Sequence, residues 1–202
     1  MIDLFLQEGA PVDRKNSEGL TYRDVLVASS EVFQHHQCHK KFPRLYESYM
    51  EGKHSATSCS RRRRYLHSAD KCFDRDINTC WIEGRRGKGI GEKIAFFTER
   101  EIRYISVFPG HGNRRLFKMH NRLQRARISV YESSYRLYCK YKLGKILGTL
   151  EASFEDRPVK KKFPVRLSAS SSRGYIIVIE IQSVYRGTRY KNDTCIAEVE
   201  TL

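Results

Sequence analysis

The stretch from Asp74 to Glu92 decides the fold and reads Asp-Arg-Asp-Ile-Asn-Thr-Cys-Trp-Ile-Glu-Gly-Arg-Arg-Gly-Lys-Gly-Ile-Gly-Glu. Short oxygen side chains occupy every second position at its start, in Asp74, Asp76 and Asn78. Trp81, the only tryptophan of the chain, follows at once, and then four glycines fall within eight residues. A polar turn, a large aromatic side chain that can anchor the loop and a glycine-rich segment together predict a loop held against the edge of a β-sandwich.

Strand-like runs continue on the C-terminal side of this loop, separated by Gly, Pro, Ser, Asp and Asn. The predicted strands are Lys93–Thr98, Ile102–Phe108, Arg125–Tyr131, Tyr135–Leu143, Lys161–Ser168, Tyr175–Gln182 and Thr194–Val199. The apolar run that begins at Tyr175 is nearly continuous, so we expect it to be the most deeply buried. Short strands at this spacing, with little helical periodicity after residue 65, are typical of an antiparallel two-sheet sandwich.

The N-terminal part has a different character, because residues 1–34 show helical spacing on both sides of a polar turn. The order of helix, turn and helix resembles the ankyrin repeat through Leu6, Gly9, Ala10, Val12, Asp13, Asn16, Gly19 and Thr21. An ankyrin stack needs about three repeats to bury its core, so the segment is predicted to be the last repeat of an array. An isolated helical hairpin is the alternative.

Residues 35–64 are predicted to be a helical and linker connector, which leaves residues 65–202 for the sandwich. Charge supports a boundary here. Residues 1–60 hold 7 Lys or Arg residues and 8 Asp or Glu residues, a net charge of −1. Residues 61–202 hold 31 Lys or Arg residues and 15 Asp or Glu residues, a net charge of +16. The change falls at the four consecutive arginines 61–64. A domain this basic favours polyanionic partners, namely acidic glycans, nucleic acid or a membrane surface.

Several classes of protein are excluded or left open by composition. No run of about 18 apolar residues is present, so no membrane-spanning helix is expected. The acidic first residues do not resemble a signal peptide, which predicts a cytoplasmic protein unless the chain is a truncated part of a secreted one. The six cysteines form no Cys-x-x-Cys motif and allow 15 complete pairings. Cys139 and Cys195 lie in apolar runs and are expected to pack as small hydrophobic side chains.

The central stretch resembles the discoidin-like (F5/8 type C-like) jelly roll, through Phe73–Asp76, Asn78–Trp81 and Gly87–Glu92. The nearest branch is the non-catalytic domain that precedes the catalytic domain of streptococcal NAD glycohydrolase. Downstream, Phe117, Asn121 and Arg122 resemble the Phe-x-x-Asn-x-Arg segment of the family, with Asn121 one position later than in that pattern, and Val184–Tyr190 resembles the closing turn. The resemblance covers residues 65–202. Cys80 departs from it, because a small residue is usual there.

The resemblance implies a galactose-binding-like sandwich that binds glycans and is associated with toxin translocation. It does not imply an enzyme, because the NAD-cleaving domain would follow the sandwich. The chain is therefore predicted to be a non-catalytic binding module for a carbohydrate that is acidic, given the charge. Two rival functions remain: a protein-interaction adaptor that uses the ankyrin-like segment, and charge-driven binding of nucleic acid or another polyanion.

The predicted ligand-binding residues all belong to the central stretch. They are Asp74, Asp76, Asn78, Trp81, Glu83, Arg85 and Arg86. Trp81 is either a sugar-stacking platform or, as we favour, a core anchor. The three oxygen side chains either hold a structural calcium ion, the one cofactor considered, or bond backbone amides of their own turn. Glu83 and Glu92 flank basic residues and are expected to form charge pairs rather than an acid–base dyad.

Overall fold

The computed structural model describes residues 44–46, 48–62, 65–137 and 140–202. These residues form a mainly β domain. The ankyrin-like segment predicted for residues 1–34 lies outside the described residues.

Thirteen strands and one α-helix follow one another along the described chain. Their bounds are β1 Tyr49–Glu51, β2 His54–Ala56, β3 Arg61–Arg62, β4 Tyr65–Leu66, β5 Trp81–Ile82, β6 Lys93–Thr98, β7 Tyr104–Phe108, α1 Arg114–Met119, β8 His120–Leu137, β9 Lys140–Ser153, β10 Lys161–Pro164, β11 Tyr175–Tyr185, β12 Tyr190–Ile196 and β13 Glu198–Thr201. A short 3₁₀ helix, Ala69–Cys72, lies between β4 and β5. None of the described helices is long and apolar enough to cross a membrane.

The strands form two main sheets. The larger sheet has the order β1-β9-β8-β11-β6-β2, and β12 joins it by pairing with β8 and with β5. The smaller sheet has the order β10-β7-β13, and β3 pairs with β4 separately. Of the strand pairs whose register is described, only β8–β12 is parallel, which agrees with the predicted antiparallel sandwich.

Strand β11 shows how the apolar pattern builds the core. Ile177 and Ile179 belong to the main core, together with Ile105 and Val107 of the smaller sheet. Ile176 and Val178 point to the opposite face of the larger sheet, where a second cluster contains Phe97. Successive side chains of a strand alternate between faces, so a continuous apolar run requires cover on both. The deep burial predicted for this run is confirmed.

Two predicted strands are corrected by the structure, and one helix was not predicted. The predicted strand Tyr135–Leu143 is divided between the end of β8 and the start of β9. The predicted strand Thr194–Val199 is divided at Ala197 between β12 and β13. Each was drawn as one strand because apolar alternation continues across the connection and does not mark a turn. Helix α1 was not predicted, although Asn113 caps it by accepting hydrogen bonds from the N–H groups of Arg115 and Leu116.

The connector predicted for residues 35–64 is also corrected in its described part. Strand β1 pairs with β9, and β2 pairs with β6, so residues 49–56 belong to the larger sheet. Strands of three residues are too short to show a period of two, which is why composition alone indicated a linker.

The register places two sets of loops at opposite ends of the sandwich. Strand β11 finishes where β8 begins, as the pairing Tyr185↔Arg122 shows, and β7 finishes there too, because the N–H of Leu123 in β8 donates to the carbonyl oxygen of Pro109. We call this the loop end; its connections are residues 83–92, 109–113, 154–160 and 186–189. The opposite end, which we call the groove end, carries residues 99–103 and 165–174.

Candidate functional site

The first three predicted site residues form a self-bonded turn. Asp74 Oδ1 accepts the N–H of Asp76 at 3.1 Å, and Asp76 Oδ1 accepts the N–H of Asn78 at 2.9 Å. Arg75 between them has a φ of 64°, a left-handed conformation. These are the side-chain-to-backbone bonds of an Asx turn, so the alternative of a self-bonded turn is confirmed. Asp76 and Asn78 remain exposed to solvent.

Trp81 is a core anchor. Its side chain is completely buried in the main core, and its indole N–H donates to the carbonyl oxygen of Ser58 at 2.9 Å. Neither face of the ring is open to a sugar, so Trp81 is not a stacking platform. The core position that the sequence favoured is the one observed. Burial of a large aromatic ring removes much apolar surface from water, which stabilises the fold.

The buried side chain of Glu83 links the glycine-rich loop to β12 by hydrogen bonds. Its carboxylate accepts the N–H of Arg85 at 2.8 Å and the N–H of Thr194 at 3.3 Å. Gly89 lies so close that a Cβ there would sit 2.5 Å from the Cγ of Glu83. Burial raises the pKa of Glu83 to about 7, against the two amide hydrogen bonds, which lower it. With 1% of its surface exposed, Glu83 holds the loop in place and does not reach a ligand.

Arg85 and Arg86 are the predicted site residues that extend furthest into solvent. The guanidinium of Arg85 lies 3.5 Å from Glu92 Oε1, with 69% of its side chain exposed. Glu92 itself is buried and accepts hydrogen bonds from the hydroxyls of Thr57 and Ser58. The expected charge pairing is therefore observed for Arg85 and Glu92, whereas Glu83 bonds backbone amides.

A group of oxygens beside the turn fits a hard cation. The hydroxyl oxygen of Thr79 lies 2.6 Å from Asp74 Oδ2 and 3.2 Å from each of the carbonyl oxygens of Lys71 and Asp76. Glu198 is 1% exposed, and neither of its buried carboxylate oxygens forms a hydrogen bond of ordinary geometry. Burial raises the pKa of Glu198 to about 7. The charges of Glu200 and Asp74 act in the same direction, whereas Lys160 and the N–H of Val199 lower the pKa.

This donor set is suited to calcium, which takes six to eight oxygen ligands of mixed type. Within the described residues no cluster of three or more His, Cys, Asp or Glu side chains could hold a metal. A cation at this position therefore depends on hydroxyl and carbonyl oxygens as well as on Asp74 and Glu198. The sequence did not indicate Glu198, which is 124 positions after Asp74 and carries no local motif.

A row of histidine and tyrosine rings lies at the loop end and was not predicted from the sequence. The ring of His120 lies 4.5 Å from that of Tyr190 and 6.2 Å from that of His111, measured between centroids. His120 is buried, whereas His111 and Tyr190 are partly exposed, and the Arg189 guanidinium lies 5.5 Å from the Tyr190 ring centroid. Burial, and then the neighbouring His67, lower the pKa of His111. The rings come from three separate segments, so no local pattern could reveal them.

The ring row adjoins the polar turn. The N–H of Gly112, next to His111, donates to the carbonyl oxygen of Ile77 at 2.8 Å. A Cβ at Gly112 would lie 2.1 Å from that oxygen, so glycine is required for this close approach. Asp76 and Asn78 are thereby held beside His111. We refer to His111, Tyr190, Asp76 and Asn78 as the ring shelf.

The family match decides what kind of domain carries this shelf. Residues 45–202 match the model of the NAD glycohydrolase translocation F5/8 type C domain. The chain belongs to this family. The matched region covers more than three quarters of the chain and includes β1 and β2, which the sequence analysis had placed in the connector. The predicted discoidin-like domain is confirmed.

Solved structures give weaker likenesses to this F5/8 type C domain. The family 32 carbohydrate-binding module of AlyQ, in complex with 4,5-unsaturated mannuronic acid, is 13% identical, with 78% of this chain and 98% of that chain covered and a TM-score of 0.46. The family 32 module of NanJ from C. perfringens, in complex with galactose, is 16% identical, with coverages of 73% and 90% and a TM-score of 0.48. The lectin domain of lectinolysin, complexed with Lewis B antigen, is 9% identical, with coverages of 75% and 93% and a TM-score of 0.45. No curated protein matches the sequence.

The segment Phe117–Arg122 of this F5/8 type C domain is a structural clamp. The Arg122 guanidinium forms two bonds to Asp156, at 2.7 and 2.6 Å, and donates to the carbonyl oxygens of His120 and Arg186. Asn121 is fully buried and accepts the N–H of Gly187 at 2.8 Å. These bonds hold the 186–189 loop, and therefore the approach to Tyr190, at the loop end.

A concave surface lies at the groove end. A groove of about 570 Å³ is lined by residues 101–104, 164–167 and 169–170 and by Tyr175. Tyr104 is exposed on it. None of the predicted site residues contributes to this groove, so the two ends of the sandwich are separate candidates for a binding surface.

Proposed function

We propose that this F5/8 type C domain is a non-catalytic carbohydrate-binding module that holds acidic glycans at its loop end. The observation that carries the proposal is the ring shelf, where partly exposed rings lie beside polar side chains at the end of a sandwich of this family. Saccharides combine an apolar ring face with a rim of hydroxyl groups. Aromatic rings next to amide and carboxylate groups can bind both.

The ring shelf is preorganised by buried contacts. His120 stacks behind Tyr190, and the Arg122 clamp holds the loop before it. Asp76 and Asn78 are kept in one orientation by the bonds of their own turn. A surface whose side chains are already ordered loses less conformational entropy when a ligand binds.

The charge of the loop end explains the preference for acidic sugars. The turn and loops at this end carry exposed basic side chains: Arg75, Arg85, Arg86, Lys88, Arg114, Arg115, Arg186 and Arg189. Guanidinium groups bind carboxylates through two parallel hydrogen bonds, which favours uronic or sialic acid units over neutral ones. Arg85 and Arg86 remain in the proposed binding set, whereas the buried Trp81 and Glu83 do not.

The carboxylates of the glycine-rich loop support a binding role rather than catalysis. Glu83 bonds two backbone amides, and Glu92 bonds two hydroxyls and Arg85. Both are used to hold the loop. A glycosidase needs two carboxyl groups on either side of an open cleft.

We also propose that calcium, held by Asp74, Thr79 and Glu198, has a structural role in this module. The ion would neutralise the buried Glu198 carboxylate and fix the turn that presents Asp76 and Asn78. It is a support for the shelf and takes no part in the recognition chemistry.

The proposal is tested by measuring glycan binding of the whole chain and its variants. We expect Arg85→Ala combined with Arg86→Ala to weaken binding of an acidic glycan by about tenfold or more, because each charge-assisted hydrogen bond contributes on the order of 1.5–3 kcal/mol. We expect His111→Ala to weaken neutral and acidic glycans alike, because stacking does not depend on the charge of the sugar. A glycan array followed by isothermal titration measures both effects.

Tyr104→Ala at the groove end is the matched control, because it also removes an exposed aromatic group. This variant should bind as the wild type does. If Tyr104→Ala abolishes binding and the loop-end variants do not, the site is at the groove end. If no glycan binds the wild type, the proposed function is wrong.

A further inference from the structure

Two buried thiols contact each other at the loop end. Cys80 immediately precedes β5, and Cys195 lies in β12, the strand that pairs with β5. The S–H of Cys80 donates to the sulfur of Cys195 at 3.6 Å, and no more than 2% of either residue is exposed. The apolar residues packed with them are Ile82, Phe108, Phe117 and Ala197, and the ring of His67 lies 3.4 Å from the carbonyl oxygen of Cys80. All the cysteines described are reduced.

We propose that Cys80 and Cys195 are a redox modification site that closes to an intramolecular disulfide. The bond length of a disulfide is about 2.05 Å, so the sulfurs must approach by about 1.5 Å. Cys195 pairs with Ile82 of β5, two residues after Cys80, so the two cysteines lie diagonally across paired segments, and their sulfurs already touch. Closure requires the two side chains to turn toward each other, and the proposal does not depend on glycan binding.

The other described cysteines are less suited to this reaction. Cys72 is buried as well, but its S–H donates to the carbonyl oxygen of Ile196 at 2.9 Å. Cys59 is partly exposed, and burial raises the pKa of its thiol to about 11, which keeps it protonated and unreactive at neutral pH. The contact between sulfurs is therefore specific to Cys80 and Cys195 among these four.

A small hydroperoxide is the class of oxidant that fits a site with so little exposed surface. The Cys80 thiolate attacks one peroxide oxygen, the O–O bond breaks, and hydroxide leaves, which gives a sulfenic acid. The Cys195 thiol, losing its proton, then attacks the Cys80 sulfur, and the sulfenic oxygen leaves as water. In total, two thiols lose two electrons and two protons while hydrogen peroxide is reduced to two molecules of water.

The disulfide would join two parts of the loop end. Cys80 follows Thr79, the last residue of the polar turn, and Cys195 follows Thr194, whose N–H holds Glu83 and whose hydroxyl donates to the carbonyl oxygen of Lys88. A covalent bond here ties the turn and the glycine-rich loop to the same strand. It closes a loop of 115 residues, a length at which a cross-link strongly restricts the unfolded chain.

The experiment exposes the folded whole chain to hydrogen peroxide, alkylates the remaining thiols under denaturing conditions, and maps the peptides by mass spectrometry. We expect one cross-linked species that contains Cys80 and Cys195, has lost two hydrogen atoms and disappears on reduction. We also expect the oxidised protein to unfold at a temperature higher by roughly 5 °C or more than the reduced protein.

Two variants provide matched controls. Cys59→Ser should retain the cross-link, and Cys195→Ser should lose it while still reacting with the oxidant at Cys80. Any of three results overturns the proposal: a Cys72–Cys80 cross-link, a cross-link between two chains, or alkylation of both Cys80 and Cys195 after the exposed thiols are fully oxidised. A Cys80–Cys195 bond that forms only in denaturant also overturns it.

Discussion

At the scale of one residue, Glu198 is a carboxyl group buried in a poorly solvating position. Moving a carboxylate out of water is strongly unfavourable, and neither oxygen of Glu198 has a hydrogen bond of ordinary geometry. The proposed calcium ion would offset that cost. It would also order the turn through Thr79, in competition with Lys71, whose ammonium lies 3.6 Å from Asp74 Oδ2.

We expect calcium to raise the melting temperature of the whole chain by about 5 °C when it is present at roughly a hundred times its dissociation constant. Glu198→Gln should abolish this shift, because the amide removes the charge while keeping the shape. Thermal unfolding followed by circular dichroism, in calcium and in chelator, measures the effect.

Glu151→Gln is the control for this measurement. Glu151 lies in β9, pairs with Arg127 at 3.0 Å and is not among the charges that shift the pKa of Glu198, so its substitution should leave the calcium shift unchanged. An equal melting temperature of the wild type with calcium and with chelator would contradict the calcium proposal.

At the scale of one element, the glycine-rich loop of residues 83–92 depends on the ionisation of Glu83. Burial raises the pKa of this carboxyl from an ordinary value of 4.5 to about 7. The folded protein therefore holds the proton more tightly than the unfolded chain. The resulting stability is fully present below pH 4.5 and is lost as the pH rises through about 7.

We expect the free energy of unfolding of the wild type to fall by up to about 3 kcal/mol between pH 4.5 and 7.5 through this group alone. Glu83→Gln should remove that part of the pH dependence, because the amide does not ionise. Urea unfolding at a series of pH values measures the difference between the two proteins.

Glu101→Gln serves as the comparison, since the Glu101 side chain is 74% exposed at the groove end. Its pH profile should follow that of the wild type. If Glu83→Gln keeps the same slope as the wild type between pH 4.5 and 7.5, Glu83 is not the titrating group.

At the scale of the whole molecule, the uneven charge makes electrostatic binding the main competitor of glycan recognition. The chain carries a formal net charge of +15, and residues 61–202 account for all of the excess. A basic surface binds any polyanion at low salt through release of counterions. Salt dependence therefore separates a shaped pocket from a charged surface.

We expect binding of DNA to the whole chain to weaken by on the order of 10³-fold between about 50 and 200 mM salt, as for six or more phosphate contacts. Binding of an acidic oligosaccharide should weaken by less than about tenfold, because stacking and neutral hydrogen bonds are not screened. Titrations at both salt concentrations measure the two slopes. Equal slopes would favour the polyanion function over the glycan module.

The amino-acid sequence by itself determined the features that depend on neighbours along the chain. Short apolar runs such as those of β6 and β11, separated by turn residues, predicted the sandwich. The spacing of Asp74, Asp76 and Asn78 predicted the polar turn, because an Asx side chain reaches the amide two residues on. Trp81 was predicted to lie in the core because its side chain is large, which can be judged from the residue alone.

The tertiary structure alone decided which distant side chains meet. It brought His111 and Tyr190 into one shelf, placed Glu198 near Asp74, and set Cys80 against Cys195. These contacts join residues about 80 to 125 positions apart, and they follow from strand order and register. Alternation specifies which face of a sheet a residue occupies but not which strand lies beside it. The candidate site depends on that second choice, which is made by packing of the whole domain.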